Sequence, residues 1–257
     1  KERQFILSND NFVIFKGKSY MKKLLFVMLM LVGISSAFAE FTGNVGLTSD
    51  YRFRGISQTM NSQALQGGID YADKSGFYAG NWNSTVSSKL YTDSIGLEND
   101  LYAGYKKELF KGVTVDVGSH NYFYSKSDHK FDSDSNTHEL YAGVGVGPVS
   151  VKYSQSLGNY FGATNSKNSK YAQADLNLPV MAKLTANAHV GRTLVSNHTN
   201  LNYTDVKVGA TYNVAGVDVG AHVYKNLGLS AAAKAADTID DQRLYKNALV
   251  VSVSKAF

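Results

Sequence analysis

The residues in this chain best equipped for chemistry are two arginines, Arg52 and Arg54, in the run Arg-Phe-Arg-Gly, with Asp50 beside them and Asp70 one segment later. Guanidinium forks match carboxylate and phosphate geometry. The cluster could therefore form a charged constriction, hold an anionic headgroup or solute, or pair with its own acids to fix a loop. Further acids share one parity of their segments, at Glu98, Asp100, Asp116, Glu139, Asp175, Asp205 and Asp218, with Lys106, Lys152 and Lys207 among them. His120, His189 and His222 fall on the same parity of three separate segments. As a general base each would need a serine within hydrogen-bond reach and a third group to orient it, and no compact Ser-His motif occurs, so no enzymatic activity is expected. A three-histidine metal site would need its ligands about 2 Å from one ion, which distant segments do not deliver; neither a metal nor another cofactor is expected. The run 126–136 carries Asp128, Asp132 and Asp134 but lacks the glycine and terminal glutamate of an EF-hand loop, and reads as a solvated polar loop.

The elements that must position these residues are twelve short segments in which apolar and polar residues alternate. The period predicts strands over 41–51, 63–71, 76–86, 95–106, 113–125, 137–146, 149–157, 170–178, 184–194, 204–214, 216–225 and 246–257. Val113, Val115 and Val117 against Thr114, Asp116 and Gly118 show the alternation plainly. The connections near 73–74, 147–148, 179–183 and 215 are tight, whereas those near 52–62, 126–136, 159–169 and 226–245 are long. Alternately long and short connections predict an all-β fold, a transmembrane up-and-down antiparallel β-barrel of about twelve strands with both chain ends in the periplasm. The competing fold, a soluble sandwich or lipocalin-like barrel, would need its Gly, Asn, Asp and Tyr phase to coat an outer surface. The terminal Phe257 decides for the membrane, since outer-membrane barrels end in an aromatic residue read by the assembly machinery. Val253, Val251 and Leu249 continue its alternation and Lys255 breaks it. Aromatic residues at segment ends, such as Tyr51, Tyr71, Tyr105 and Tyr224, suit the girdles at the two interfaces.

Export is predicted by residues 21–39, which read MKKLLFVMLMLVGISSAFA. Lys22 and Lys23 form the basic region, 24–34 the apolar region and Ala37-Phe38-Ala39 the cleavage site of a signal peptide. The apolar run is shorter than the roughly 20 residues a spanning helix needs. Residues 1–20 carry no targeting pattern and read as an upstream translated segment, which leaves 40–257 as one barrel domain. Residues 1–39 hold six of the 26 Lys and Arg and two of the 21 Asp and Glu, so the net charge of +5 falls to +1 in the remainder. No nucleic-acid partner is expected at that balance. The absence of cysteine excludes disulfides, thiolate metal sites and a lipid-modified N-terminal cysteine. Two prolines, 17 tyrosines, 13 phenylalanines and 23 glycines suit a barrel whose strands are half polar.

The runs TSDYRFRGISQT at 48–59, ALQGGIDYA at 64–72, SGFYAGNW at 75–82 and GLENDLYAGY at 96–105 resemble the Gcw_chp group of TorF-type porins. Gln63 departs from the pattern, where a proline would precede the Ala-Leu-Gln-Gly-Gly run. The resemblance implies an outer-membrane, porin-like protein of a Gram-negative bacterium and implies no substrate. If Val, Leu and Ile face lipid, the opposite phase collects nine acids, from Asp50 to Asp218, against Lys106, Lys152, Lys207 and the two arginines. An acidic wall of low dielectric concentrates cations, so the expected function is passive diffusion of ions and small hydrophilic solutes with a weak cation preference. The alternatives are a closed barrel with an adhesive or structural role, or a lipid-modifying outer-membrane enzyme. The remaining partners expected are outer-membrane lipids, lipopolysaccharide and, through Phe257, the barrel-assembly machinery. Twelve strands lie between about 8, which side chains fill, and about 16, which leave an aqueous channel. An inward loop could therefore close the pore. The 226–245 stretch is the longest candidate, and its Ala231–Ala236 segment is a potential short helix.

Overall fold

The computed structural model describes residues 39–91, 94–126 and 134–257. The segment 1–20, the signal peptide up to residue 38, and Asp128 and Asp132 lie outside the described residues. Twelve strands close into one barrel: β1 (Ala39–Thr48), β4 (Ala64–Asp73), β5 (Phe77–Thr85), β6 (Ser94–Phe110), β7 (Val113–Lys126), β8 (Thr137–Val146), β9 (Val149–Ser156), β10 (Lys170–Met181), β11 (Leu184–Leu194), β12 (Tyr203–Val214), β13 (Val217–Leu227) and β16 (Ala248–Ala256). Each pairs antiparallel with its chain neighbours, and β1 joins β16 to complete the ring, from Asn44 opposite Ala256 to Thr48 opposite Ser252. A closed sheet has no edge, so every strand finds partners for its backbone groups on both sides, as hydrocarbon surroundings require.

The period-two pattern sorts side chains by solvent. Outward residues are apolar and uncovered: Val208 is 62% exposed, Leu249 65% and Phe77 60%. The largest fully buried side chains include Tyr124, Glu98, Thr137 and Thr193, which is the inverse of a water-soluble core. That inversion decides against the soluble sandwich and places lipid on the outside. Phe41 against Tyr71 and Phe77 against Tyr105, each 5.1 Å between ring centroids, form part of an aromatic girdle at the short-turn end.

The two ends of the barrel differ as the loop lengths predict. At one end the strands join through short turns, among them Ala215-Gly216, where both residues have positive φ (53° and 83°) as a two-residue turn between twisted strands demands. At the other end stand the long connections. The first carries the small hairpin of β2 (Arg52–Phe53) and β3 (Ile56–Ser57). The last carries the short helix α1 (Ala231–Ala236) and the hairpin of β14 (Thr238–Ile239) and β15 (Gln242–Arg243). Ser230 caps α1 by accepting the Ala233 N–H at 3.0 Å.

Most strand boundaries move by one to three residues from the sequence expectation, and two strands extend further along the chain for a reason the pairing shows. β10 continues past Pro179 to Met181 instead of turning there, and its register with β11 shifts between those residues. A bulge tolerates a residue with no N–H, so the proline marks an irregularity rather than the turn. β6 runs to Phe110, four residues beyond its expected end, pairing with the start of β7.

Val208 lies midway along β12 on the lipid face. Val208→Arg is expected to cost about 2–4 kcal/mol in a bilayer. Urea unfolding of the barrel in phospholipid vesicles measures the difference.

Candidate functional site: the charged lumen and its plug

The inward phase of the strands holds Asp70 on β4, Glu98, Asp100 and Lys106 on β6, Asp116 and His120 on β7, Glu139 on β8, and Lys152 on β9. It continues with Asp175 on β10, His189 on β11, Asp205 and Lys207 on β12, and Asp218 and His222 on β13. Asp50, Arg52 and Arg54 are not on the wall. They belong to the first long connection, which folds into the mouth of the barrel as a plug. The longest connection, expected to be the inward one, lies over this plug instead: Leu244 joins Ile56 and Tyr203 in a buried cluster.

The plug is held by its two arginines. Arg52 Nε donates to Asp50 Oδ2 at 2.7 Å, and Asp50 Oδ1 accepts from the Ser57 hydroxyl at 2.6 Å. Arg52 Nη1 donates to the carbonyls of Gly55, Leu244 and Lys246 at 3.0, 3.1 and 2.8 Å, which ties the plug to the segment above it. Arg54 reaches the barrel wall, where its guanidinium forks onto Glu139 at 3.0 and 2.7 Å. It also donates to the Tyr160 hydroxyl at 2.9 Å. The Phe53 and Tyr171 rings cover its faces at 4.7 and 4.1 Å. Asp50 is thus the partner of Arg52, as its proximity suggested. Arg54 takes Glu139 and not Asp50 or Asp70, a pairing 85 residues apart that no spacing records.

Gly55 shows why the tip sequence matters. Its φ is +80°, and a Cβ there would come within 2.8 Å of the Asp205 side chain and into the Asn226 amide. Asn226 Nδ2 donates to the Gly55 carbonyl at 3.0 Å, so the tip rests on β13 as well as β8.

Beside the plug, Glu98 Oε1 accepts from the Tyr51 hydroxyl at 3.2 Å. Burial pushes the Tyr51 phenol up, which keeps it a donor at any ordinary pH. Glu98 is completely buried, so it is sealed behind the plug instead of lining open space. Asp100 Oδ2 meets His120 Nε2 at 3.0 Å. His189 sits between Asp175 at 2.7 Å and Asp205 at 2.8 Å, an arrangement that a ring with a proton on each nitrogen satisfies in full. His222 Nε2 meets Asn187 Oδ1 at 3.0 Å. The three histidines therefore engage carboxylates or an amide, and none of these contacts is to a serine.

Tyrosines, on the same parity as the charges but not singled out by sequence reading, shape the space that remains. Tyr102 donates to Asp70 Oδ1 at 2.5 Å and Tyr78 to Asp116 Oδ1 at 2.6 Å, while the Tyr78 and Tyr141 hydroxyls touch. Tyr78 faces Gly104, and Tyr102 faces Gly80, across the β5–β6 pair. Each ring occupies the volume that a side chain on the glycine would need. The rings lie against the wall, and two hollows remain below the plug. A chamber of about 400 Å³ is lined by Arg52, Arg54, Trp82, Tyr171 and Lys207. A vestibule of about 520 Å³ toward the short-turn end is lined by Asp70, Tyr78, Lys106 and Asp116. The two share Tyr102, His120, Tyr141 and Lys152 in their linings. Lys152 holds its ammonium 5.3 Å from the Tyr141 ring centre.

The family model described as "Bacterial protein of unknown function (Gcw_chp)" matches residues 33–257. No curated protein matches the sequence. Among solved structures, the KdgM porin in complex with disordered oligogalacturonate is similar at a TM-score of 0.52 and 8% identity, covering 85% of this chain and 98% of that one. The NanC porin is similar at 0.52 and 9%, covering 85% and 99%. LpxR from Salmonella typhimurium aligns at 0.42 and 9%, covering 84% and 99%. At these identities the first two likenesses show the fold alone, and the third carries no argument.

Removing Arg54 would leave Glu139 buried without its partner. Arg54→Ala is expected to weaken plug docking by about 3–5 kcal/mol, while Arg54→Met with Glu139→Met recovers most of the loss. Trp82, the chain's one tryptophan, stands edge-on to Tyr51 at 5.4 Å and reports undocking by fluorescence in urea. Asp237, which ends α1 beside a cavity of about 340 Å³, has its carboxyl pushed up to about 6 by burial. The folded segment thus holds a proton that the unfolded chain releases near pH 4, and its stability falls as pH rises through about 6. Hydrogen exchange of residues 231–244, corrected for the intrinsic rate, should lose protection over that range, and Asp237→Asn should flatten the change.

Proposed function

This chain belongs to the Gcw_chp family of bacterial proteins of unknown function, and we propose that it is a porin-like channel of a bacterial outer membrane. Ions and small hydrophilic solutes would pass by diffusion through the two hollows, with the plug of the first connection as the constriction. The observation that carries this reading is that chamber and vestibule adjoin across Tyr102, His120, Tyr141 and Lys152, so that movement of those side chains would join the two hollows into one polar path beneath the plug. A weak cation preference would come from an excess of negative charge at Asp70 and Asp116, which line the vestibule, accept tyrosine hydroxyls and are in no ion pair among the described residues. A low-dielectric wall focuses that excess onto the path. The solute itself is left open by this argument, since lining charge sorts ions without naming one.

Export by the 21–39 segment and insertion by the barrel-assembly machinery complete the reading. Phe257 supports the second step: its backbone pairs with Gly43 at 2.8 and 2.9 Å while 72% of the residue stays exposed, available to a recognising surface. The long connections would then face outward and the short turns the periplasm.

The plug's bonding favours a second reading, a closed barrel with an adhesive or structural role, because both guanidiniums are held in buried ion pairs. Single-channel recording of the refolded barrel in a planar bilayer under a salt gradient separates the two. The channel reading expects small stepwise currents with a cation-selective reversal potential, several-fold larger steps in Arg54→Ala, and a reversal potential nearer zero in Asp70→Asn with Asp116→Asn. Silence from both wild type and Arg54→Ala, in barrels whose heat-shifted gel migration shows them folded, would establish the closed one.

A further inference from the structure

The lipid-facing wall carries chemistry that a channel does not need. On β10 the outward column reads Lys170, Ala172, Ala174, with Lys170 at the long-loop end. Antiparallel register sets Ala172 between Tyr153 and Arg192, and Ala174 between Val151 and Val190. Two small residues between taller neighbours leave a groove of about 660 Å³, lined along its length by Ala172, Ala174, Val190 and Arg192. Lys170 and Arg192 are one diagonal apart across the β10–β11 pair, a separation that long side chains bridge.

The head of the groove is basic without compensation. The outward residues of β8 to β13 include no Asp or Glu, and Lys225 on β13 adds a third cation. Among the described residues Arg192 donates to the Thr204 hydroxyl at 3.1 Å and neither it nor Lys170 is in an ion pair. Two cations at the rim of a hydrocarbon belt, above a trough sized by alanines, fit a ligand with a phosphate at the interface and an acyl chain below it.

We propose that β9, β10 and β11 dock the lipid A moiety of lipopolysaccharide, with a phosphate on Lys170 and Arg192 and one acyl chain over Ala172 and Ala174. This rests on the reading above only for the leaflet, since the long-loop end must face outward for its rim to meet lipopolysaccharide. A lipid with several phosphates and chains is favoured over a phospholipid because Lys225 on β13 extends the basic rim beyond the Lys170 and Arg192 pair, so a second phosphate also meets a cation.

Native mass spectrometry of the refolded protein in detergent, titrated with purified lipid A or with phosphatidylglycerol, tests the proposal. Wild type should retain lipid A preferentially. Lys170→Ala with Arg192→Ala should weaken retention on the order of tenfold. Ala174→Phe, which fills the trough and leaves the charges, should weaken it too, while Lys255→Ala at the opposite rim changes nothing. Phosphatidylglycerol held as well as lipid A, or undiminished lipid A on the double variant, overturns the proposal. Arg192→Gln alone gives the same reading if the double variant does not fold. Failure of the channel reading is visible separately, because Lys170 and Arg192 point away from the lumen and should leave conductance unchanged. Labelling of Asp240→Cys on intact cells, in a chain with no other cysteine, reports the leaflet independently.

Discussion

A strand that crosses hydrocarbon must bond every backbone group to another strand, and that requirement governs the rest of this molecule. Closure of β1 onto β16 meets it for all twelve strands at once. Closure also divides the side chains, because a strand with alternating faces has only an outside and an inside. Apolar residues take the outside, where lipid rewards them. The polar phase then has nowhere to go but inward, whatever it carries. The concentration of Asp, Glu, Lys, His and Tyr inside the barrel is thus a consequence of spanning the membrane with alternating strands, and any use of those groups is built on it.

A lumen of that kind faces an electrostatic problem of its own. Carboxylates crowded within one narrow ring cannot all remain charged without partners. Here three devices supply them. Arg54 enters from the plug to meet Glu139, His189 stands between Asp175 and Asp205, and tyrosine hydroxyls donate to Asp70 and Asp116. The plug is therefore more than an obstruction. It brings the cation that the upper wall lacks, and the wall in turn holds the plug, so closing the mouth and neutralising Glu139 are one event.

How far this was legible in the sequence follows from which interactions are local. β8 and β11 match their expected spans residue for residue, and α1 occupies the alanine run, because periodicity and helix propensity act within a few residues. Arg52 with Asp50, two positions apart, was equally readable. Arg54 with Glu139 was not, since it depends on which connection turns inward, and connection length says nothing about that. The first connection folds in because its acceptors are its own: Asp50 binds Arg52, Ser57 and Thr59 and makes the hairpin compact enough to enter. Pro179 misled for a related reason, as a bulge frees it from the ladder that proline would otherwise end. The inward tyrosines were hidden in a phase searched for charge alone, although the glycines opposite them on β5 and β6 carried the signal.

The outer wall repeats the logic with the signs changed. Charge on a lipid face is costly at the midplane and tolerated at the rims, where side chains reach the headgroups. Outward cations on β10, β11 and β13 lie at the long-loop rim, and Asp73, Lys107 and Lys255 lie outward at the short-turn rim. Each of these charges sits within a side chain's reach of water or headgroups, and the middle of the belt carries none. The long-loop rim from β8 to β13 differs only in that its outward charges are all basic. The same barrel thus treats charge in two ways, bringing opposite charges together in the lumen and confining outward charge to the rims.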